Sequence, residues 1–169
     1  MTPLALAPGL SAESVAGVVA ALKARGETVA TAESLTAGLL TAVLTSVPGS
    51  SAVVRGGLVV YATDLKAALA GVDADLLAER GAVDPDVAAA LAEGARARCG
   101  ADLGVGLTGV AGPDPQDGVP PGTVHVALAG PRGRRGVTIT AAGGREEVRS
   151  AAVRHALQLI AADLGTLFA

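Results

Sequence analysis

Three side chains in this sequence have the chemistry for covalent attack on a carbonyl: Ser34, Lys66 and the sole tyrosine, Tyr61. Ser34 follows the short β-prone run Thr28-Val29-Ala30-Thr31-Ala32 and precedes a helical pattern. It therefore stands at a strand-to-helix turn, where backbone N–H groups and the helix dipole favour a negative oxygen. The plainer reading is that Ser34 or Thr36 only caps the helix. Lys66 lies less than two helical turns beyond Tyr61. A lysine on a short helix is ordinarily solvated, and with a reference pKa of ~10.4 it serves as a base only where burial or a neighbouring cation lowers that value. Tyr61 ends an apolar run, and its hydroxyl needs a partner wherever it is buried.

Two further segments suit ligand binding. Thr108-Gly109-Val110-Ala111-Gly112-Pro113 follows an apolar strand. Its glycines let backbone approach a ligand and present N–H groups to an anion, although the same run also fits an ordinary turn. It is neither a phosphate loop nor a dinucleotide fingerprint, because no Gly-x-Gly-x-x-Gly opens a helix there. Gly143-Gly144-Arg145-Glu146-Glu147-Val148-Arg149 opens the last helix. Arg145 could hold a phosphate bidentately at a helix N-terminus, or the glutamates could complement the dipole with Arg149 paired to one of them in solvent.

The elements that must position these groups read as follows. Residues 1–10 form a loose lead-in. Ser11 caps a helix that runs from Ala12 to Arg25 and stops at Gly26. After the strand at 28–32, Leu39, Leu40, Val43 and Leu44 make a second helix ended by Pro48-Gly49. Residues 53–61 read as a buried strand whose Gly56-Gly57 pair marks a bulge or a close backbone approach. Helices follow at 64–70, 73–80 and 85–98, the last opening on Asp84-Pro85. Strands at 102–108, 123–129 and 136–141 come next, the last two joined by 130–135 as an antiparallel pair. A helix over 145–164 buries Val148, Ala152, Val153, Ala156, Leu157 and Ile160. This alternation predicts an α/β fold: three layers, α/β/α, around a mixed, mainly parallel sheet of about five to six strands, with one domain over residues 1–169 and its core at about 12–162.

Composition narrows the function classes. The chain has 169 residues, 23 glycines, no tryptophan and a net charge of −3. No basic face or aromatic set is expected for nucleic acid. Arg132, Arg134 and Arg135 read as a solvated hairpin tip. One cysteine, Cys99, and two widely spaced histidines, His125 and His155, make neither a disulfide nor a metal set, so no metal is expected. Both histidines read as structural. No run reaches the ~18 apolar residues of a membrane span and no secretory leader is visible, which leaves the cytoplasm as the expected compartment. An Ala/Val/Leu-rich surface suggests a homodimer.

Seven stretches, in order, resemble the C-terminal domain of the competence-damage-inducible protein family, the family of bacterial nicotinamide mononucleotide deamidases. They are Thr31 to Gly38, Val47-Pro48-Gly49-Ser50-Ser51, Arg55-Gly56-Gly57 through Tyr61 and Lys66, Gly81-Ala82-Val83, Thr108 to Pro113, Pro121-Gly122-Thr123-Val124, and Arg145-Glu146-Glu147-Val148-Arg149. The resemblance covers about residues 12–162 and is closest to the stand-alone form of the family. It departs at Leu35-Thr36-Ala37-Gly38, where many relatives have Cys-Thr-Gly-Gly, and at Val53 and Val54, where aromatics are common. It implies a three-layer fold and hydrolysis of the carboxamide of nicotinamide mononucleotide without a cofactor. Ser34 would be the nucleophile, Lys66 its basic partner and Tyr61 an assisting hydroxyl. Thr36, Gly38, Thr108, Gly109, Ala111 and Gly112 would cradle the substrate, and Arg145 would bind its anionic end. The oxyanion would sit at the helix start after Ser34, helped by the Thr108 loop. Two alternatives stay open: a non-catalytic module that binds a nucleotide, and a Ser-Lys hydrolase of another amide or ester.

Overall fold

A computed structural model describes residues 7–168, so the first six residues of the predicted lead-in lie outside it. In chain order the elements are α1 (Ala12–Arg25), β1 (Val29–Glu33), α2 (Leu39–Thr45), a 3-10 turn (Ser50–Ala52), β2 (Val54–Val59), α3 (Thr63–Ala70), α4 (Ala74–Arg80), α5 (Pro85–Cys99), β3 (Leu103–Gly109), β4 (Thr123–Gly130), β5 (Gly133–Thr140) and α6 (Arg145–Leu164). The five strands form one mixed sheet in the order β2-β1-β3-β4-β5. β2, β1 and β3 pair in parallel, and β4 pairs antiparallel with both neighbours, so β4 alone runs against the rest. Helices α1, α2 and α6 pack together on one face; α3, α4 and α5 cover the other.

Several boundaries follow directly from local chemistry. Ser11 accepts from the Ser14 N–H at the start of α1, and Gly26 closes that helix in the left-handed conformation at φ 65°. Asp84 caps α5 through the Asp86 N–H, with Pro85 at the first turn.

The second face is close-packed because β3 lacks side chains there. A Cβ on Gly104 or Gly106 would meet the backbone of α5 at Ala92 and Ala88. Those glycines let α5 approach β3 closely, which the small alanines of α5 also permit.

Three local expectations are corrected. β2 is an edge strand with alternating exposure, not a buried one. Its irregularity does fall at the glycine pair: Val29 pairs with Val54 but Ala30 with Gly56, which bulges out Arg55. The hairpin turn is shorter than read, since Gly130 already pairs with Gly133 and both Arg134 and Arg135 lie in β5. These arginines are ion-paired rather than only solvated. Arg132 bridges Glu27 and the buried Asp163, Arg135 also meets Asp163, and Arg134 meets Glu93. Both histidines are hydrogen-bonded within the fold, His125 to Thr138 and His155 to the Ala151 carbonyl. No helix among the described residues is long and apolar enough to cross a membrane.

The packing predicts opposite outcomes for two glycine substitutions. Gly106→Ala forces β3 and α5 apart and should destabilise the fold by about 3 kcal/mol. Gly17→Ala, in α1 with open space at its Cβ, should stabilise it by about 0.5 kcal/mol. Urea denaturation of the two variants measures both signs.

Candidate active site

The order β2-β1-β3 places the chain reversal of this sheet at β1. The next strand, β2, joins on one side of β1, and β3 joins on the other. In open α/β sheets the crevice beyond the carboxyl ends of strands at such a point is where ligands bind. Three segments leave the sheet there side by side: Ser34 after β1, Val60-Tyr61 after β2 and Val110 to Pro113 after β3. Ser34, Leu35, Tyr61, Gly109, Ala111 and Gly112 help line a cavity of about 300 Å³, together with Asp114, Gln116 and Arg145.

Strand alternation divides the work at the end of β1. Ala30 and Ala32 face α3 and α5 and belong to that core. Ser34 continues the same row and so faces α3, where Lys66 lies. Lys66 is only 1% exposed. Its Nζ donates to the carbonyl oxygens of Val60 at 2.9 Å and Tyr61 at 3.4 Å, and it lies 3.1 Å from Ser34 Oγ. Burial lowers the amine from the ordinary lysine value of 10.5 to about 8, partly opposed by the Asp64 carboxylate. At that value about one amine in ten is neutral at pH 7. A neutral amine has two N–H bonds and one lone pair. With both N–H groups directed to the two carbonyls, the lone pair is left for the serine proton.

Thr31 and Glu33 occupy the opposite row, towards α2. Glu33 is fully buried, and its carboxylate accepts five hydrogen bonds: from the Gly38, Leu40 and Thr41 N–H groups at 2.9–3.0 Å, and from the Thr31 and Thr41 hydroxyls at 3.1 and 2.7 Å. The N-terminus of α2 is therefore satisfied by an internal anion. Gly57 on β2 makes this possible, because a Cβ there would collide with the Thr31 and Thr41 hydroxyls. The helix does not begin at Ser34. Residues 35–38 form a turn, with Ala37 left-handed at φ 48° and Gly38 at φ 93°, and α2 starts at Leu39. An oxyanion held by the α2 N-terminus is thus excluded. The Leu35 and Thr36 N–H groups, just after Ser34, are without a partner among the described residues, as is the fully buried Thr36 Oγ1.

The remaining expected residues fall into two groups. Arg145 lies at the cavity mouth, donating to the Gly112 carbonyl at 3.0 Å and the Tyr61 hydroxyl at 2.6 Å. Tyr61 is 55% exposed, so its hydroxyl faces the mouth and Arg145, while its carbonyl is what touches Lys66. The Gly144 N–H at the start of α6 is taken by the Glu147 carboxylate. Thr108 does not line the cavity: it is buried and donates to the Ala82 carbonyl at 2.6 Å, tying β3 to the segment before α5. Thr36 and Gly38 belong to the Ser34 turn, away from the cavity lining. Of the apolar residues near Lys66 in sequence, Val60 is buried, Leu65 half-buried and Leu69 exposed.

Two residues escaped sequence reasoning. Glu33 reads as a turn acid, although its position two after Thr31, in a strand with no exposed residue, marks it as inward-facing. Arg149 reads as a partner for Glu146 or Glu147, yet it donates to the Leu35 and Thr36 carbonyls, each at 3.0 Å.

The C-terminal domain model of the CinA family matches residues 11–164. The chain belongs to the CinA family. A CinA-like protein of Frankia casuarinae is 50% identical over 149 residues, 88% of this chain and 34% of that protein. A putative competence-damage inducible protein of Geobacillus kaustophilus is 45% identical over 148 residues, 84% of this chain and 36% of that protein. The chain thus spans about a third of the length of these CinA relatives. Among solved structures, the competence/damage inducible protein of Agrobacterium tumefaciens aligns with a TM-score of 0.87 at 37% identity, covering 92% of this chain and 95% of that one. The competence damage-inducible protein A of Klebsiella pneumoniae aligns at 0.89 and 34%, covering 93% and 98%. The mixed α/β sheet described above is therefore the CinA fold.

The surroundings of Lys66 fix the direction in which its titration moves. NMR titration of the amine should give a midpoint near 8, and Asp64→Asn, which removes the carboxylate favouring the charged form, should move it lower. A midpoint near the free-lysine value would show that water reaches the amine.

Proposed function

We propose that this chain hydrolyses the carboxamide of nicotinamide mononucleotide, releasing ammonia and nicotinate mononucleotide. The observation that carries the hydrolytic reading is the buried Lys66 amine 3.1 Å from Ser34 Oγ, its N–H groups engaged by main-chain carbonyls. A purely structural lysine gains nothing from a site that weakens its charge. Perturbed titration combined with a nucleophile at contact distance and an adjoining cavity is the pattern of a general base and its serine. The choice of substrate rests on the seven stretches that resemble the deamidases and on Arg145, a cation at the mouth suited to a phosphate.

The reaction runs in two halves. Neutral Lys66 takes the Ser34 proton as Oγ attacks the carboxamide carbon, and the carbonyl oxygen becomes an oxyanion. The Leu35 N–H, at the cavity wall and without a partner among the described residues, receives that charge. Lys66, now an ammonium, returns its proton to the amide nitrogen. The C–N bond breaks, ammonia leaves and an acyl-serine ester remains. Water then attacks the ester with Lys66 again as base. The carboxylate product forms and Ser34 recovers its proton. Each half uses the same amine first as acceptor and then as donor, for which a value of about 8 is suited. Arg145 and the Tyr61 hydroxyl hold the far end of the substrate and take no part in the proton transfers.

Ser34→Ala should abolish ammonia release from nicotinamide mononucleotide, and Lys66→Met should lower turnover at least ~1,000-fold with the fold retained. Ammonia and acid product are measured on purified protein. Near-normal turnover by Ser34→Ala would remove the nucleophile, and a mild loss in Lys66→Met would move the base elsewhere. A wild-type protein that binds the nucleotide without releasing ammonia would be a binding module.

A further inference from the structure

The turn that carries Ser34 is gripped from two sides by opposite charges. Glu33 satisfies its N–H groups from Gly38 onward, as described above. On its carbonyl side, Arg149 reaches from α6 and uses two N–H groups along one edge of its guanidinium, Nε to the Leu35 oxygen and Nη2 to the Thr36 oxygen, each at 3.0 Å. Arg149 does not itself line the cavity, although Leu35, whose carbonyl it holds, does, and it forms no ion pair among the described residues. Its charge is directed entirely at two peptide groups.

Those peptide groups are the ones that matter chemically. In a trans peptide the C=O and the following N–H point in opposite directions. Holding the Leu35 and Thr36 carbonyls towards α6 turns the Thr36 and Ala37 N–H groups away from it. The Ala37 N–H closes the turn onto the Ser34 carbonyl at 3.0 Å, whereas the Thr36 N–H stays open. A cation bound to a peptide carbonyl also draws electron density from that unit and makes its N–H a stronger donor.

We propose that Arg149 is a positioning residue for the oxyanion: by holding the two peptide groups that follow Leu35, its guanidinium fixes the turn that presents the Leu35 N–H beside Ser34. This rests on the serine-nucleophile reading above but not on the identity of the amide. Arg149 acts through the backbone and never meets the substrate. A lysine cannot reproduce the two-point grip, because its ammonium is a single point charge without a planar fork.

Three measurements test this. Arg149→Lys should lower kcat by about 10- to 100-fold with KM changed less than about twofold and an unaltered melting temperature, as expected for lost oxyanion alignment. In Arg149→Ala, added guanidinium ion should restore part of kcat, and it should do nothing for Lys66→Met. The third is the rate at which a fluorophosphonate modifies Ser34: Oγ forms the P–O bond, fluoride leaves, and the phosphoryl oxygen occupies the oxyanion position. That rate should fall in Arg149→Lys by a similar factor. Wild-type turnover of nicotinamide mononucleotide is the separate arm: its absence refutes the assigned substrate, while the fluorophosphonate rate still judges Arg149. Equal rates in wild type and Arg149→Lys, or a loss of kcat that tracks a lowered melting temperature without guanidinium rescue, would overturn the proposal.

Discussion

A primary amine shut away from water, one hydrogen-bond length from a serine hydroxyl, is the arrangement on which the rest of this structure depends. Burying Lys66 works against its charge, and the cost is tolerable only because the amine has somewhere to place its N–H groups when neutral. The Val60 and Tyr61 carbonyls supply that, and they are free to do so because β2 ends at Val59 and its chain turns into α3. The parallel pairing of β1 with β2 then brings Ser34 alongside. The contact between one lysine and one serine thus arises from backbone geometry at the carboxyl ends of the strands.

Keeping the serine still is a separate problem, solved with charge. The segment between β1 and α2 includes a left-handed alanine and cannot satisfy its own polar groups. An internal carboxylate gathers the N–H groups and a guanidinium gathers two carbonyls. The Leu35 and Thr36 N–H groups, next to Ser34, remain without a partner among the described residues. Glu33 points from β1 towards α2 and Arg149 comes from α6, and these two helices pack together on one side of the sheet. The cavity beside Ser34, by contrast, is built with Lys66 of α3 behind it and the loops beyond β2 and β3 around it. The sheet therefore separates the support from the chemistry, and the period-2 alternation of β1 sends Glu33 to one side and Ser34 to the other.

Much of this fold was legible because its boundaries obey local rules. Ser11 and Gly26 bracket α1, Asp84-Pro85 opens α5, and the apolar stripe of α6 sets both its ends. β5 was misjudged because arginines in a Gly-rich run look like a turn, whereas their partners Glu27, Glu93 and Asp163 lie far away in sequence. The same limit governs the site. Ser34, Tyr61, Lys66 and Arg145 could be named from family resemblance, but no spacing rule shows that Lys66 meets Ser34 or that the Tyr61 hydroxyl turns to Arg145. Thr108 was assigned to the cradle because it borders a glycine loop, yet strand alternation points it at α5. Glu33 and Arg149 act on the main chain, and a main-chain contact leaves no residue pattern to read.

The pH dependence of kcat/KM for nicotinamide mononucleotide, measured for wild type and Asp64→Asn, tests the neutral amine most directly, because it reports the ionisation of the free enzyme's base. Activity should climb about tenfold per pH unit at low pH and level off above a value near 8, with the break displaced to lower pH in Asp64→Asn. A profile flat across that range, or a break unmoved by the substitution, would contradict the assignment of Lys66 as the base.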